Sequence, residues 1–191
     1  RYGEDLNLTI DLRLQFIAYR ELKSAVNSHQ AASGSLIMLD AKTGEILAMV
    51  NQPSFNPNSG NKQQNTMRNR AVVDAYEPGS TIKPFTALAA LESGRYTPET
   101  MIDTAPGYFK VGNKLIEDPI NRKILSLGQS IQKSSQVAFA KLALDLEQDA
   151  VFDVLARAGF GNYVGVELPG EAYGKLSSAQ LKYPVVRATL A

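Results

Sequence analysis

Apolar residues at helical spacing mark the first element of the chain. Four of them recur at intervals of three or four residues, which places them on one face of a helix. They are Leu14, Ala18, Leu22 and Ala25. The pattern predicts an amphipathic helix over about Asp11 to Asn27.

Two short apolar runs follow, "GSLIMLD" at 34–40 and "EILAMV" at 45–50. The connection between them, Ala41 to Gly44, is short and ends in a glycine, which suits a turn that needs a positive φ. These features predict a β-hairpin. The polar segment after it, Asn51 to Asn65, predicts a long surface loop.

Three later segments also have helical spacing. The first runs from Ser80 to Ser93 and is followed by Gly94, a residue type that often closes a helix in the left-handed conformation. The others lie around 137–144 and 151–158, and Gly159 follows the last. The apolar positions are Ile82, Phe85 and Ala89, then Val137, Ala140 and Leu144, then Val151, Val154, Leu155 and Ala158. Strands and helices therefore mix in one chain without an internal repeat.

Composition limits the classes of function. A chain of 191 residues with 44% hydrophobic content has enough apolar material for a core. A net charge of +1 without a long run of like charge gives no argument for nucleic acid. The absence of cysteine excludes disulfides and cysteine-ligated metals, and the single histidine, His29, lies in a polar stretch. We expect neither a metal nor a cofactor, and no apolar run approaches the ~18 residues of a membrane span.

The spacing Ser-x-x-Lys is the candidate for chemistry, because a lysine can activate a serine nucleophile when its surroundings lower its pKa. It occurs three times, at Ser59–Lys62, Ser80–Lys83 and Ser130–Lys133. The first pair lies in the polar loop, where nothing would desolvate the lysine, so we interpret it as solvated surface. The third lies in a predicted helix, where a serine usually bonds its own backbone or points outward.

The second pair has a different context. Pro78 and Gly79 turn the chain, and Pro84 lacks the N–H that would reach the carbonyl of Ser80, so a helix is expected to begin at about Ser80 or Thr81. A helix N-terminus favours developing negative charge, and a lysine one turn later can approach the hydroxyl. From the residues alone, two interpretations stay open: a Ser/Lys nucleophilic centre, or a helix-capping serine followed by a surface lysine.

Three longer segments resemble a known family. "MRNRAVVDAYEPGSTIKPF" at 67–85 is similar to the nucleophile segment of the class B penicillin-binding proteins, in particular the division-specific transpeptidases (penicillin-binding protein 3 type) of Gram-negative bacteria. "LDAKTGEILAMVNQPSFNPN" at 39–58 resembles the strand pair and loop before that segment, and "SIQKSSQVAFAKLAL" at 130–144 resembles the second motif region. The resemblance implies the penicillin-recognising serine transferase fold, an α/β sandwich with an antiparallel sheet and helices on both faces.

The resemblance also implies roles for four residues. Ser80 would attack the penultimate D-alanine of a peptidoglycan stem peptide ending in D-Ala-D-Ala, and Lys83 would accept its proton. Ser134 would relay a proton to the departing amine, and Gln136 would bind substrate through its side-chain amide. β-Lactams would acylate the same serine, and an amine of a second stem peptide would resolve the acyl-enzyme.

Two features depart from the family pattern. No K-[ST]-G motif follows Ser134, and the "KTG" at Lys42 to Gly44 falls in the predicted hairpin turn, which already accounts for its residues. Gln136 stands where the family has asparagine. We therefore expect residues 1–191 to be the N-terminal and central part of a single transpeptidase domain, which ends before the third motif, lacks the C-terminal strands and is inactive alone.

Three functions remain open at this point. The first is a transpeptidase in septal wall synthesis, as the periplasmic domain of a protein anchored in the inner membrane and working with a septal glycosyltransferase and other division proteins. The second is a β-lactamase or D,D-carboxypeptidase of the same superfamily. The third is a non-catalytic scaffold or partner-binding module of the division machinery.

Overall fold

The computed structural model describes residue 3 and residues 5–58, 66–176 and 183–190. The chain divides into two compact units, Arg1–Ala75 with Gly165–Ala172, and Tyr76–Val164 with Tyr173–Ala191. The pair Ser59–Lys62 lies outside the described residues. Within them, no helix has both the length and the apolar character that crossing a membrane requires.

The first unit begins with helix α1, Leu12–Ser28, which confirms the predicted helix within one residue. The carboxylate of Asp11 caps its N-terminus by accepting from two backbone N–H groups of the first turn. The prediction that Ala25 belongs to the apolar face is wrong: Ala25 is exposed, whereas Val26 is half-buried and lies against Gly34. The stripe advances in steps of four residues from Leu14, so its last member is Val26.

The hairpin is confirmed as strands β1, Gly34–Leu39, and β2, Ile46–Gln52, which pair antiparallel. In the turn, the side chain of Asp40 accepts from the N–H groups of the two residues after Ala41, and Gly44 has a φ of 77°. The loop begins two residues later than predicted, because Asn51 and Gln52 still pair with β1.

Helices lie on both faces of this hairpin. The face carrying Ala48 and Val50 packs on α1 around the buried Ala18. Side chains alternate along a strand, so Asn51 points to the opposite face. There its amide bonds Asn69 and the backbone of the short helix α2, Arg70–Val73, with two contacts of 2.8 Å.

In its described residues the second unit contains two more antiparallel strand pairs and several helices. A 3₁₀ turn, Gly79–Ile82, runs into α3, Lys83–Glu92. Strand β3, Met101–Asp103, pairs with β6, Ile124–Ser126, and β4, Tyr108–Val111, pairs with β5, Lys114–Glu117. The remaining helices are α4, Leu127–Gln132, α5, Gln136–Asp145, α6, Ala150–Arg157, and α7, Pro184–Leu190. The helices predicted around 137–144 and 151–158 are therefore confirmed.

The core of this unit forms where α3, α5 and α6 pack together. Phe139 at its centre is fully buried, and the small residues of α3 allow the helices a close approach. The main contributors are Ile82, Ala87, Ala90, Phe139, Leu142, Val154 and Leu155. This packing fixes the N-terminal ends of α3 and α5, which carry the predicted site residues.

Candidate active site

Ser80 lies in the 3₁₀ turn, so the prediction that an α-helix begins at Ser80 or Thr81 needs correction. The α-helix begins at Lys83, and the N–H of Lys83 donates to the carbonyl of Ser80 in the tighter i to i+3 pattern. Pro84 has no N–H to offer that carbonyl, which favours the 3₁₀ bond. Gly79 enters the turn with a φ of 62°, a conformation that glycine adopts without strain.

The turn separates the two side chains by burial. The Ser80 residue is exposed, whereas Lys83 is only 4% exposed. Ile82 beside it is 3% exposed and belongs to the core. Lys83 is therefore held in place by the packing of α3, with a solvent-accessible hydroxyl at its end.

Ser134 comes from the short turn between α4 and α5. Its N–H donates to the carbonyl of Ile131, and the N–H of Ser135 donates to the carbonyl of Ser130, both at 3.0 Å. These are the two bonds of a Schellman motif, in which the residue after the helix is usually glycine. Ser134 occupies that position with a φ of 51°, a costly conformation for a residue with a side chain. The turn thereby places the Ser134 hydroxyl beside the start of α5.

The ammonium of Lys83 joins the two serines. Nζ donates to Ser80 Oγ at 3.0 Å, to Ser134 Oγ at 2.9 Å and to the Ser134 carbonyl at 3.0 Å. Ser134 Oγ in turn donates to Ser80 Oγ at 3.2 Å. The three residues that the sequence predicted as catalytic thus form one hydrogen-bonded cluster.

Burial lowers the pKa of Lys83 below its ordinary value, and the negative charge of Asp118 opposes this by raising it. A lowered pKa makes the neutral amine more accessible near neutral pH. The neutral amine has a lone pair that can accept the proton of Ser80 while its two N–H groups still bond Ser134. The arrangement can therefore activate Ser80 as a nucleophile.

Asp118 is a neighbour that the sequence analysis missed. It follows β5 directly, and its carboxylate accepts from Ser135 Oγ and from the N–H groups of Gln136 and Val137 at the start of α5. In the structure Ser135 caps only the N–H of Ala138, so the first N–H groups of α5 need an acceptor from elsewhere. Nothing in the sequence indicated which carboxylate would supply it.

Gln136 is the first residue of α5 and is exposed. Its backbone N–H bonds Asp118 at 2.6 Å, and within the described ranges its side-chain amide makes no hydrogen bond. An unengaged amide beside Ser134 is compatible with substrate binding, which stays a prediction.

The two other sequence candidates within the described residues have the structural roles that were expected. Ser130 is fully buried and donates to the carbonyl of Ser126 at 2.8 Å. Lys42 lies in the hairpin turn, where its N–H donates to Asp40. Neither residue takes part in the cluster around Lys83.

Comparison with known families decides the assignment. The model of the penicillin binding protein transpeptidase domain matches residues 34–191. The chain belongs to this family. A mixed set of helices and antiparallel strand pairs is what such transpeptidase domains contain, and the predicted penicillin-recognising serine transferase fold is confirmed.

Individual transpeptidases support the same assignment. The chain is 41% identical over 175 residues to the probable peptidoglycan D,D-transpeptidase PbpC of Pseudomonas aeruginosa. This alignment covers 91% of the chain and 31% of that protein. It is 40% identical over 189 residues to the peptidoglycan D,D-transpeptidase FtsI of Escherichia coli. That alignment covers 98% of the chain and 32% of the FtsI protein. The chain therefore spans about a third of the length of these curated relatives.

A solved transpeptidase domain has the same architecture. The apo domain of Burkholderia pseudomallei penicillin-binding protein 3 aligns with a TM-score of 0.83 and 33% identity, covering 100% of this chain and 53% of that one. The sequence resemblance to the penicillin-binding protein 3 type is thus confirmed for this transpeptidase domain.

Proposed function

We propose that this chain carries the nucleophile part of a serine D,D-transpeptidase, which cross-links peptidoglycan stem peptides during septal wall synthesis. The observation that carries the proposal is the buried Lys83 ammonium in contact with both serine hydroxyls, 3.0 Å from Ser80 Oγ and 2.9 Å from Ser134 Oγ. A helix-capping serine followed by a surface lysine would need neither the burial nor the contact with Ser134.

The first half of the reaction is acylation. Ser80 Oγ attacks the carbonyl carbon of the penultimate D-alanine as its proton moves to the neutral Nζ of Lys83. The bond between the two D-alanines breaks, and the departing amine takes a proton from Ser134 Oγ. Lys83 then gives the proton that it took from Ser80 to Ser134 Oγ. The backbone N–H of Ser80 is one donor to the developing oxyanion, where a donor acts on charge that exists only in the transition state.

The second half transfers the acyl group. An amine of a neighbouring stem peptide attacks the Ser80 ester, its proton passes to the Lys83 and Ser134 pair, and Ser80 Oγ leaves with a proton from the same pair. Gln136 orients the donor peptide through its side-chain amide. β-Lactams enter at the first step because they resemble the D-Ala-D-Ala group, and they leave a slowly released ester on Ser80.

The same proposal covers the setting of the domain. Residues 1–191 are the N-terminal and central part of one transpeptidase domain, and the full-length protein supplies a K-[ST]-G motif beyond Ser134. It is a periplasmic domain of an inner-membrane protein that works with a septal glycosyltransferase. An intact mass of the purified protein well above 20.8 kDa and recovery of the protein in the inner-membrane fraction are the expected results.

Labelling of the full-length protein with a fluorescent penicillin tests the proposal. One adduct is expected, and a donor peptide ending in D-Ala-D-Ala is expected to yield a cross-linked product when an amine acceptor is present. Hydrolysis without transfer, with a short-lived acyl-enzyme, would identify a β-lactamase or carboxypeptidase instead. A folded protein that takes no label would identify a non-catalytic module in which Ser80 serves only the turn.

A further inference from the structure

Asp118 connects two parts of the second unit at the edge of the catalytic cluster. Its own N–H donates to the carbonyl of Gly107 at 2.9 Å, which fixes it to the loop before β4. Its Oδ1 accepts from the N–H groups of Gln136 at 2.6 Å and Val137 at 3.2 Å, and its Oδ2 accepts from Ser135 Oγ at 2.5 Å. The carboxylate thus receives three hydrogen bonds from the first residues of α5.

These bonds hold the turn that carries Ser134. The N-terminal N–H groups of a helix need acceptors, and a carboxylate also interacts favourably with the positive end of the helix dipole. Ser134 directly precedes Ser135 and has the unfavourable φ of 51°. Since Ser134 contacts Lys83 through both its hydroxyl and its carbonyl, a loosened turn would move both acceptors of the lysine.

Asp118 also acts on Lys83 through its charge. It is half-buried, and its negative charge raises the pKa of Lys83 against the effect of burial. The contacts of the Lys83 ammonium are with two hydroxyls and a carbonyl, none of which carries charge.

Other charged side chains near α3 are poorly placed for this role. Apart from Lys83 itself, the charged side chains on α3, on α4–α6, in the loops from α4 to α6 and at residues 76–78 are all exposed except the half-buried Lys141, whose ammonium donates to the carbonyl of Asp103. The exposed ones are Glu77, Glu92, Lys133, Asp145, Glu147, Asp149, Asp153 and Arg157.

We propose that Asp118 is a positioning residue for the acylation step: it holds the turn that carries Ser134 against Lys83 and serves as the counter-charge of the lysine ammonium. The inference rests on the proposed function, because it concerns the proton transfer from Ser80 to Lys83. It adds a residue to the site that belongs to none of the motifs in the sequence.

The test uses variants that separate charge from hydrogen bonding. Asp118→Asn and Asp118→Ser remove the charge but keep an acceptor for the N–H groups of α5, so the helix can still begin at Gln136. Ser135→Ala is the control that keeps the charge, since it removes one hydrogen bond to Asp118 together with the cap on the N–H of Ala138. The second-order rate of acylation by one β-lactam is measured on the full-length protein between pH 5 and 10, and thermal unfolding verifies each variant.

The wild-type rate is expected to rise with pH as Lys83 loses its proton. Without the charge of Asp118 the ammonium is less favoured, so this rise should move to lower pH by about 0.5 to 1 unit, less than for a direct ion pair. The acylation rate at high pH, where Lys83 is neutral and the rate no longer rises, should fall roughly tenfold in both Asp118 variants, because Ser134 is held less firmly. We call this limiting rate the plateau. In Ser135→Ala the plateau should fall by a smaller factor and the position of the rise should not move.

Each other result has a defined meaning. An unchanged pH position in the folded Asp118 variants, or an equal shift in Ser135→Ala, overturns the counter-charge role. An unchanged plateau in both overturns the positioning role. If the wild type itself takes no β-lactam, the proposed function has failed, and competitive acetylation of Lys83 as a function of pH then decides the counter-charge separately, with a lower pKa expected in Asp118→Asn.

Discussion

Two segments of the described chain have the same Ser-x-x-Lys spacing and opposite burial. In Ser80–Lys83 the serine is exposed and the lysine is 4% exposed, whereas in Ser130–Lys133 the serine is fully buried and the lysine is exposed. Lys83 contacts both Ser80 and Ser134, whereas Ser130 donates to the carbonyl of Ser126.

The difference shows what the spacing requires to become chemistry. A lysine activates a serine when its surroundings destabilise the ammonium, as burial does, and the hydroxyl must remain open to substrate. Ser80–Lys83 meets both conditions because a 3₁₀ turn at a helix end exposes one side chain while core packing buries the other. Ser130–Lys133 lies within and at the end of α4, whose packing side takes the serine.

The largest difference between the two segments should be seen in covalent labelling. Ser80→Ala should take no penicillin adduct, because the attacking oxygen is gone, while Ser130→Ala should label as the wild type does. Intact-mass and peptide mass spectrometry after incubation with penicillin provide the measurement. An adduct on Ser130, or full labelling of Ser80→Ala, would show that the burial argument has chosen the wrong serine.

Exchange of the lysines should separate the segments almost as strongly. Lys83→Arg should abolish acylation although the charge is retained, because a guanidinium cannot act as a base at any accessible pH. Lys133→Arg should acylate at the wild-type rate, since Lys133 is exposed. Both are compared by stopped-flow acylation with one β-lactam, and retained acylation in Lys83→Arg would mean that another group takes the proton from Ser80.

Gln136 sharpens the comparison, because it follows the second segment in sequence but is predicted to serve the first. Gln136→Ala should raise the activation free energy of acylation by about 2 kcal/mol, which lowers the rate roughly 30-fold, as expected for one positioned hydrogen-bond donor. Gln136→Asn is the matched control and should retain most of the rate, since asparagine keeps both amide functions on a shorter side chain. If alanine acylates as fast as glutamine, the side chain does not contact substrate.

The smallest expected effect concerns stability, and here Ser130 should matter more than Ser80. Ser130→Ala should lower the free energy of unfolding by about 1 kcal/mol, because the substitution removes a buried hydroxyl and its hydrogen bond to the carbonyl of Ser126. Ser80→Ala should change it by less than about 0.5 kcal/mol, since the serine is exposed. Urea unfolding of the two variants provides the measurement, and a larger loss for Ser80→Ala would contradict the comparison.

Local structure could be predicted from local sequence. The helix predicted at Asp11 to Asn27, the hairpin and the helices that end before Gly94 and Gly159 all depend on periodicity and turn residues, and all are confirmed. The errors are also local: Val26 replaces Ala25 on the buried stripe, and the residues before Lys83 form a 3₁₀ turn instead of an α-helix. In both places two similar backbone or packing choices differ by little free energy, so the pattern alone does not decide between them.

The sequence by itself determined that the chain turns directly before Ser80, ahead of a buried helix, because glycine permits a positive φ and proline fixes φ wherever they occur. Tertiary structure alone decided that Lys83 is desolvated, that Ser134 reaches it across 51 residues of chain, and that Asp118 supplies the neighbouring charge. The physical reason is the range of the interactions. Periodicity reports which face of an element is apolar, but the partner of a polar side chain is fixed only when helices α3 and α5 pack and bring distant turns within hydrogen-bond distance.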